Sequence, residues 1–412
     1  MRRRALLVGI NTYDHIQPEL SWCIDDTLAM HEVLAFHANH DPNFACHLLL
    51  GSQSDLAAPE DGRERVTFNK LRLALEDLFA FDDMAVFYFS GHGIPTERGR
   101  YLATQDGTPT LPGILMNDLL DMANTSRARE VVLIIDCCFA GGVGEPNGAG
   151  DIPNLYLRPG VTLLAAAQPH ENALEMGGQG VFTRLVLGAL KGGAADVRGR
   201  VSAASIYAHI EQALGPWDQR PIYKSNASQL SPLRYCWPDI GDDDLRRLTQ
   251  FFPKPNHQFP LDPSYEVTRS EAIPEHVAIF KIFKRYQVAR LLRPSVDDDL
   301  YFAAIRTHPV ELTPLGQFYW QLAKDNLLGG SPAFTPLRRG SMPDAESVAK
   351  FFHEAYERLA PAFGYKTRDE TRVPWENVPE RNKRLMIAAT AEVLAMLFPP
   401  EDAPTATGAP PR

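Results

Sequence analysis

The first half of the chain is dominated by short apolar runs with little polar alternation. ALLVGI (5–10), CHLLL (46–50), MAVFYFS (84–90), EVVLIID (130–136) and VTLLAAA (161–167) are rich in β-branched, leucine and aromatic residues, and RPIYK (220–224) adds a sixth run. A strand that is apolar at successive positions has to be covered on both faces. Segments of helical character at 24–38, 68–80, 116–125, 182–191 and 202–214 fall between the runs and would supply that cover. Such alternation predicts an α/β fold with a mostly parallel sheet. Function in these sheets gathers at the carboxyl ends of strands. The tetrapeptide SGHG and the tripeptide DCC both stand at such ends.

The texture changes near residue 238. The stretch 239–266 is rich in Pro and Asp and reads as a linker or irregular wrap. From 267 the pattern is helical, at 274–292, 297–306, 312–327, 344–360 and 380–398, with no strand-like run. Residues 400–412, EDAPTATGAPPR with the preceding Pro, have the composition of a disordered tail. The expected division is therefore 1–238, a linker 239–266, a helical domain 267–399 and a tail 400–412.

Charge and cysteine content narrow the function classes. With 41 basic and 51 acidic residues the formal charge is −10, which argues against nucleic acid as a partner. The five cysteines, Cys23, Cys46, Cys137, Cys138 and Cys236, are odd in number and irregular in spacing. They predict a reducing, cytoplasmic setting rather than a disulfide framework, and no CxxC pair suggests zinc. The apolar run after Arg2–Arg4 breaks at Asn11, too early for a signal peptide, and no window reaches the length of a membrane span.

Two residues at the strand exits carry the chemistry. His92 lies between glycines that let the backbone turn sharply and approach a substrate. Cys138 lies just past the run 130–136. Adjacent parallel strands are about 5 Å apart, so neighbouring exits would bring an imidazole beside a thiol. That is a base and nucleophile pair, in which the imidazole makes thiolate available near neutral pH. A loop histidine and a structural cysteine are the plainer readings of each residue alone.

The order of motifs resembles the caspase-like cysteine peptidases, especially metacaspases, paracaspases and their bacterial homologues. Their marks are a Gly-His-Gly strand end and an Asp-x-Cys strand end, here SGHG (90–93) and DCCFAGG (136–142). ALLVGINTYDHIQPELSWCIDDTLAM (5–30), GVFTRLVLGAL (180–190) and QRPIYKSN (219–226) resemble further segments of that family, in the same order. The resemblance covers roughly residues 4 to 230 and implies a mostly parallel six-stranded sheet flanked by helices. A smaller all-α C-terminal domain would follow it. It implies Cys138 as nucleophile, with Cys137 in the variable slot, and His92 as base, with no third triad member evident. The backbone N–H groups of Gly93 and Cys138 would form the oxyanion hole. Asp26 and Asp136 match the acidic positions of a pocket for Arg, then Lys, before the scissile bond. Asp25 reads instead as a helix cap. Phe139 departs from the His or Arg frequent after the family's nucleophile.

The resemblance also implies control. The Gly-rich stretches 141–160 and 191–202 contain Arg158, Arg198 and Arg200, candidate processing sites of a zymogen. An upstream protease or regulatory protein acting through the helical half is the expected partner, in bacterial defence or cell death. No cofactor is expected. Calcium, which metacaspases often need, is the alternative, but the acidic runs 242–244 and 297–299 lack the ligand spacing of a calcium loop. Three rival readings stand beside the peptidase: another specificity, a pseudo-enzyme scaffold, and a redox sensor built on Cys137 and Cys138.

Overall fold

The computed structural model describes residues 3–51, 65–80, 83–137, 156–166, 181–214, 221–227, 231–296, 299–328, 345–359 and 373–397. Cys138, Phe139, Asp297 and Asp298 lie outside the described residues. The chain divides into two compact units, Met1–Pro336 and Leu337–Arg412.

Six strands form the central sheet of the first unit: β1 (Arg3–Ile10), β2 (Ala45–Gly51), β3 (Met84–Ser90), β7 (Glu130–Asp136), β8 (Val161–Ala165) and β10 (Ile222–Asn226). Their spatial order is β10-β8-β7-β3-β1-β2, and only β10 runs antiparallel. The predicted mostly parallel sheet is thus observed, with β3 and β7 as neighbours. The two-residue side-chain period of a strand sorts each run into two cores. Leu6, Val8, Phe87, Phe89, Leu133 and Ile135 pack against α2 (Phe68–Phe79) and α3 (Met116–Thr125) on one face. Leu7, Val86, Tyr88, Val132 and Ile134 face α1 (Cys23–Ala35), α4 (Val181–Gly188) and α5 (Ala203–Ala213) on the other. Unbroken apolar runs are what burial on both faces requires.

Several short elements were not anticipated. An antiparallel ribbon, β4 (Gly93–Thr96), β5 (Gly99–Ala103) and β6 (Gly113–Leu115), follows directly on SGHG. A two-residue pair joins β9 (Arg200–Val201) to β11 (Arg234–Tyr235). The helical part also contains strands, β12 (Leu292–Pro294) paired with β13 (Val310–Leu312). Three-residue strands are too short to show a period, so the expectation of no strand after 267 is corrected by tertiary pairing.

The stretch 239–266 is held by a core of its own. It contains α6 (Asp242–Arg246) and α7 (Leu248–Phe251), and its Leu245, Leu248, Phe252 and Leu261 are buried with residues of α8 (Pro274–Val288), α9 (Leu300–Ile305) and α10 (Pro314–Lys324). Val197, from the turn before β9, is buried in the same cluster. Arg198 makes a bidentate pair with Asp242, Nε–Oδ1 and Nη2–Oδ2 both 2.9 Å, and its side chain is only 7 % exposed. These links explain why the boundary between units falls at 336/337 and not in the Pro- and Asp-rich stretch. Asp242→Ala would remove the bidentate carboxylate from a buried guanidinium. It is expected to cost about 3–5 kcal/mol in urea unfolding, the usual penalty for breaking a buried pair.

In the second unit α11 (Ala345–Leu359) packs with α12 (Glu380–Leu397) around buried Ala349, Trp375 and Val378. His353 is also buried there, its Nε2 2.9 Å from the Val373 carbonyl.

Candidate active site

The register of three strands sets out the site. Gly9 of β1, Ser90 of β3 and Asp136 of β7 are consecutive partners across the sheet, at the carboxyl end. The chain of β3 then turns, with the Gly91 N–H donating to the Asp136 carbonyl at 3.3 Å. His92 follows immediately. The β7 side continues through Cys137, which is 2 % exposed and belongs to the α2/α3 core. Its burial matches the packing role expected of it and weighs against a redox pair with Cys138.

His92 is gripped from four directions. Its backbone N–H donates to the Tyr13 hydroxyl at 2.8 Å, and its carbonyl accepts from Ala103 N–H of β5 at 2.9 Å. The Tyr13 ring lies 5.0 Å from the imidazole, centroid to centroid. The imidazole Nε2 stands 2.6 Å from the Pro18 carbonyl oxygen. A carbonyl only accepts, so Nε2 carries the proton and Nδ1 of the neutral ring is the acceptor nitrogen. Gly91 is required here because a Cβ would stand 2.6 Å from the Tyr13 hydroxyl.

The loop carrying Pro18 is organised by Asn11. Its backbone N–H donates to Gly51 at 3.2 Å and its carbonyl accepts from Leu20 at 2.8 Å. Its side-chain amide donates to the Ser21 carbonyl at 3.1 Å and accepts from Ile24 N–H at 3.2 Å. The residue that ends the apolar N-terminal run therefore fixes the loop that orients the histidine. Asn11, Tyr13 and the Pro18 carbonyl were not singled out from sequence. A backbone carbonyl has no residue signature, so nothing in the sequence could have pointed to Pro18. Tyr13→Phe removes the acceptor for His92 N–H. It is expected to cost about 1–3 kcal/mol of stability, and to lower kcat with KM little changed, read from urea unfolding and steady-state kinetics.

Asp26 and Asp136 lie on the same side of the sheet. Asp136 shares strand parity with Val132 and Ile134 and so faces the α1/α4 side. The first turn of α1 crowds onto Gly9, where a Cβ would come within 2.4 Å of the Cys23 carbonyl and the Thr27 hydroxyl. That approach carries Asp26 inward, to 2 % exposure. Both carboxylates act on the Tyr88 hydroxyl, whose pKa is driven well above the ordinary phenol value by burial first, then by Asp136 and Asp26. Asp136 accepts from the Thr183 hydroxyl at 2.5 Å. Burial lifts its pKa above the usual carboxylate value, and bonds from the Thr183 hydroxyl and N–H oppose the rise. Among the described residues no Arg or Lys pairs with Asp136. Asp25 is not the cap of α1. The N-cap position is Trp22, without a side-chain cap bond, and Asp25 lies within the first turn.

Gly93 opens β4 opposite Leu102. The nucleophile position, Cys138, is outside the described residues, and so is its N–H. Each candidate processing arginine is held by folded structure. Arg158 donates to Ser126 Oγ at 2.8 Å and to the Ala128 carbonyl at 2.5 Å, and Arg200 pairs with Asp196 at 2.7 Å. With Arg198 buried against Asp242, cutting after any of the three requires its segment to open first.

The acidic run 242–244 opens α6 and is committed to arginines: Asp242 to Arg198, Asp243 to Arg246, Asp244 to Arg247 and Arg285. Asp299 caps α9 by accepting from Tyr301 N–H at 2.6 Å. No helix among the described residues is long and apolar enough to cross a membrane.

A parallel sheet with a glycine-flanked histidine at one strand exit, beside a strand that runs into a cysteine, defines a cysteine peptidase of α/β architecture. Residues 2–231 match the model of the caspase domain family, over more than half of the chain. The chain belongs to that family and is a caspase-like cysteine endopeptidase acting on protein substrates. Among solved structures it is similar to the crystal structure of caspase-1 from Spodoptera frugiperda, at 11 % identity and TM-score 0.38, covering 57 % of this chain and 90 % of that one. It is also similar to a structure of pro-sf-caspase-1, at 13 % identity and TM-score 0.37, covering 56 % and 94 %. No curated protein matches the chain.

Proposed function

We propose that this peptidase works through a His92–Cys138 dyad and cuts after Arg, then Lys. The observation that carries the reading is that Asp136 ends the strand next to that of His92, facing the α1/α4 side of the sheet, while α1, packed on Gly9 of β1, buries Asp26 on that same side. A guanidinium between two carboxylates gains charge-assisted hydrogen bonds, and an Arg can make them bidentate. With Nε2–H given to the Pro18 carbonyl, Nδ1 takes the proton of the Cys138 thiol. The thiolate attacks the carbonyl carbon of the scissile bond. The Gly93 and Cys138 N–H groups stabilise the oxyanion, each donor contributing about 2.7–4 kcal/mol by the precedent of other acyl-transfer enzymes. His92 then protonates the leaving amine, and water, deprotonated by His92, releases the acyl group.

The family resemblance supports a resting zymogen, switched on by a protease or a partner that engages the helical part, in a defence or cell-death setting. The test is hydrolysis of fluorogenic peptides ending in Arg, Lys or Asp by the purified protein, with and without calcium. It is repeated after limited proteolysis and with Cys138→Ala. Cleavage after Arg that needs Cys138 supports the reading. Cleavage after Asp, or none after proteolysis, overturns it.

A further inference from the structure

Among the described residues no Arg or Lys pairs with Asp136, and an ordered set of neutral donors meets it instead. Thr183 Oγ1 lies 2.5 Å from Asp136 Oδ2 and 2.7 Å from the Tyr88 hydroxyl. A threonine hydroxyl has one hydrogen, and Asp136 takes it. Thr183 therefore accepts at its other contact, and Tyr88 is the donor there. Ser90 also hydrogen-bonds to the Tyr88 hydroxyl; that hydroxyl has one hydrogen, given to Thr183, so Ser90 is the donor there. The hydrogen bonds thus run one way, from Ser90 to Tyr88 to Thr183 to Asp136. Ser90, Tyr88 and Thr183 are 3 %, 0 % and 0 % exposed. Two rigid elements hold the chain, β3 and α4.

These hydroxyls carry no charge, so they fix the direction of the carboxylate without neutralising it. Direction matters unequally to the two basic side chains. A guanidinium is a planar fork whose two N–H groups must meet carboxylate oxygens in register. An ammonium is a point charge with rotatable donors, tolerant of a tilted partner.

We propose that Thr183, backed by Tyr88, is a specificity-determining positioning residue that sets the preference for Arg over Lys by aiming Asp136 at the substrate. The inference rests on the reading of Asp26 and Asp136 as the basic pocket. Neither hydroxyl touches the reacting atoms. Both act through Asp136.

The experiment compares kcat and KM on matched Arg and Lys peptides for the full-length protein, Thr183→Val, Thr183→Ser and Tyr88→Phe. Thr183→Val keeps the shape and deletes the donor. The ratio of kcat/KM for Arg over Lys is expected to fall about tenfold or more, the scale of one hydrogen bond to a charged group, mainly through KM for Arg. Thr183→Ser restores the ratio. Tyr88→Phe leaves the bond to Asp136 and lowers the ratio less, and it decides the matter if the valine variant does not fold. Equal losses on Arg and Lys, or an unchanged ratio in a wild type that prefers Arg, overturn the proposal and leave the pocket standing. A wild type without preference for basic residues overturns the pocket and the proposal together.

Discussion

Cys138→Ala and His92→Ala are each expected to lower kcat on an Arg-ending peptide by about 10,000-fold or more, and the double variant little further. Nucleophile and base act as one unit in such enzymes, so removing either forfeits nearly the whole chemical step. The surroundings of His92 add a feature that separates this mechanism from a fortuitous histidine. Its backbone N–H, backbone carbonyl and Nε2 are all bonded to protein. The one ring nitrogen left to accept a proton is Nδ1. His92→Ala should leave the sheet intact, because the Tyr13 hydroxyl and Ala103 N–H bond to backbone atoms that alanine retains. The measurement is single-turnover hydrolysis, together with alkylation of Cys138 by an electrophilic peptide across pH. The alanine variant of His92 should label Cys138 slowly near neutral pH and recover as pH approaches the ordinary thiol pKa of about 8.5. Undiminished labelling at neutral pH would remove His92 from the dyad.

Asp136→Asn is expected to do two opposite things. It should lower kcat/KM for Arg peptides about 10- to 150-fold, the range for losing one hydrogen bond with a charged partner. It should also raise thermal stability at pH 8. Burial lifts the Asp136 pKa above that of the unfolded chain, even though Thr183 donates to it. The folded protein therefore holds that proton to higher pH than the unfolded one. Stability from this group is full below the unfolded value, about 3.9, and declines as pH rises, until the folded group has also ionised. Asparagine carries no such penalty and can still accept from Thr183. The gain in Tm should thus be present at pH 8 and vanish toward pH 3. A variant that lost both activity and stability would mark Asp136 as a structural group. The expected trade of stability for function is common at sites that bury charge.

The expectation of a strand beside a strand rested on EVVLIID and MAVFYFS, and both strands have the predicted bounds. Such runs are legible because burial on both faces leaves no polar position to confuse the period. The helices flanking them were legible for a related reason, since each needs one apolar stripe for one face of the sheet. The short strands of β4–β5–β6, β9–β11 and β12–β13 were not, because two to five residues are too few to show a period. Their pairing comes from neighbours distant in sequence. Tyr88 and Thr183 did leave a trace, a hydroxyl inside an apolar run, but no local rule says that such hydroxyls meet a carboxylate.

The sequence by itself determined the class of the molecule: a mostly parallel sheet with a histidine and a cysteine at strand ends, in a motif order that resembles the caspase-like peptidases. Those features are local, carried by apolar runs, a few glycines and short motifs. Only the tertiary structure decided which groups complete the site. Pro18 reaches His92 through a loop pinned by Asn11, Asp26 is turned inward because α1 settles on a glycine, and Thr183 of α4 reaches both Tyr88 and Asp136. The division between units was decided in the same way, by the Arg198–Asp242 pair and the core around Phe252, which join the Pro- and Asp-rich stretch to the first unit. The physical reason is the same in each case. Long-range contacts depend on where rigid elements pack in three dimensions, and that is set by the whole core rather than by any stretch of chain.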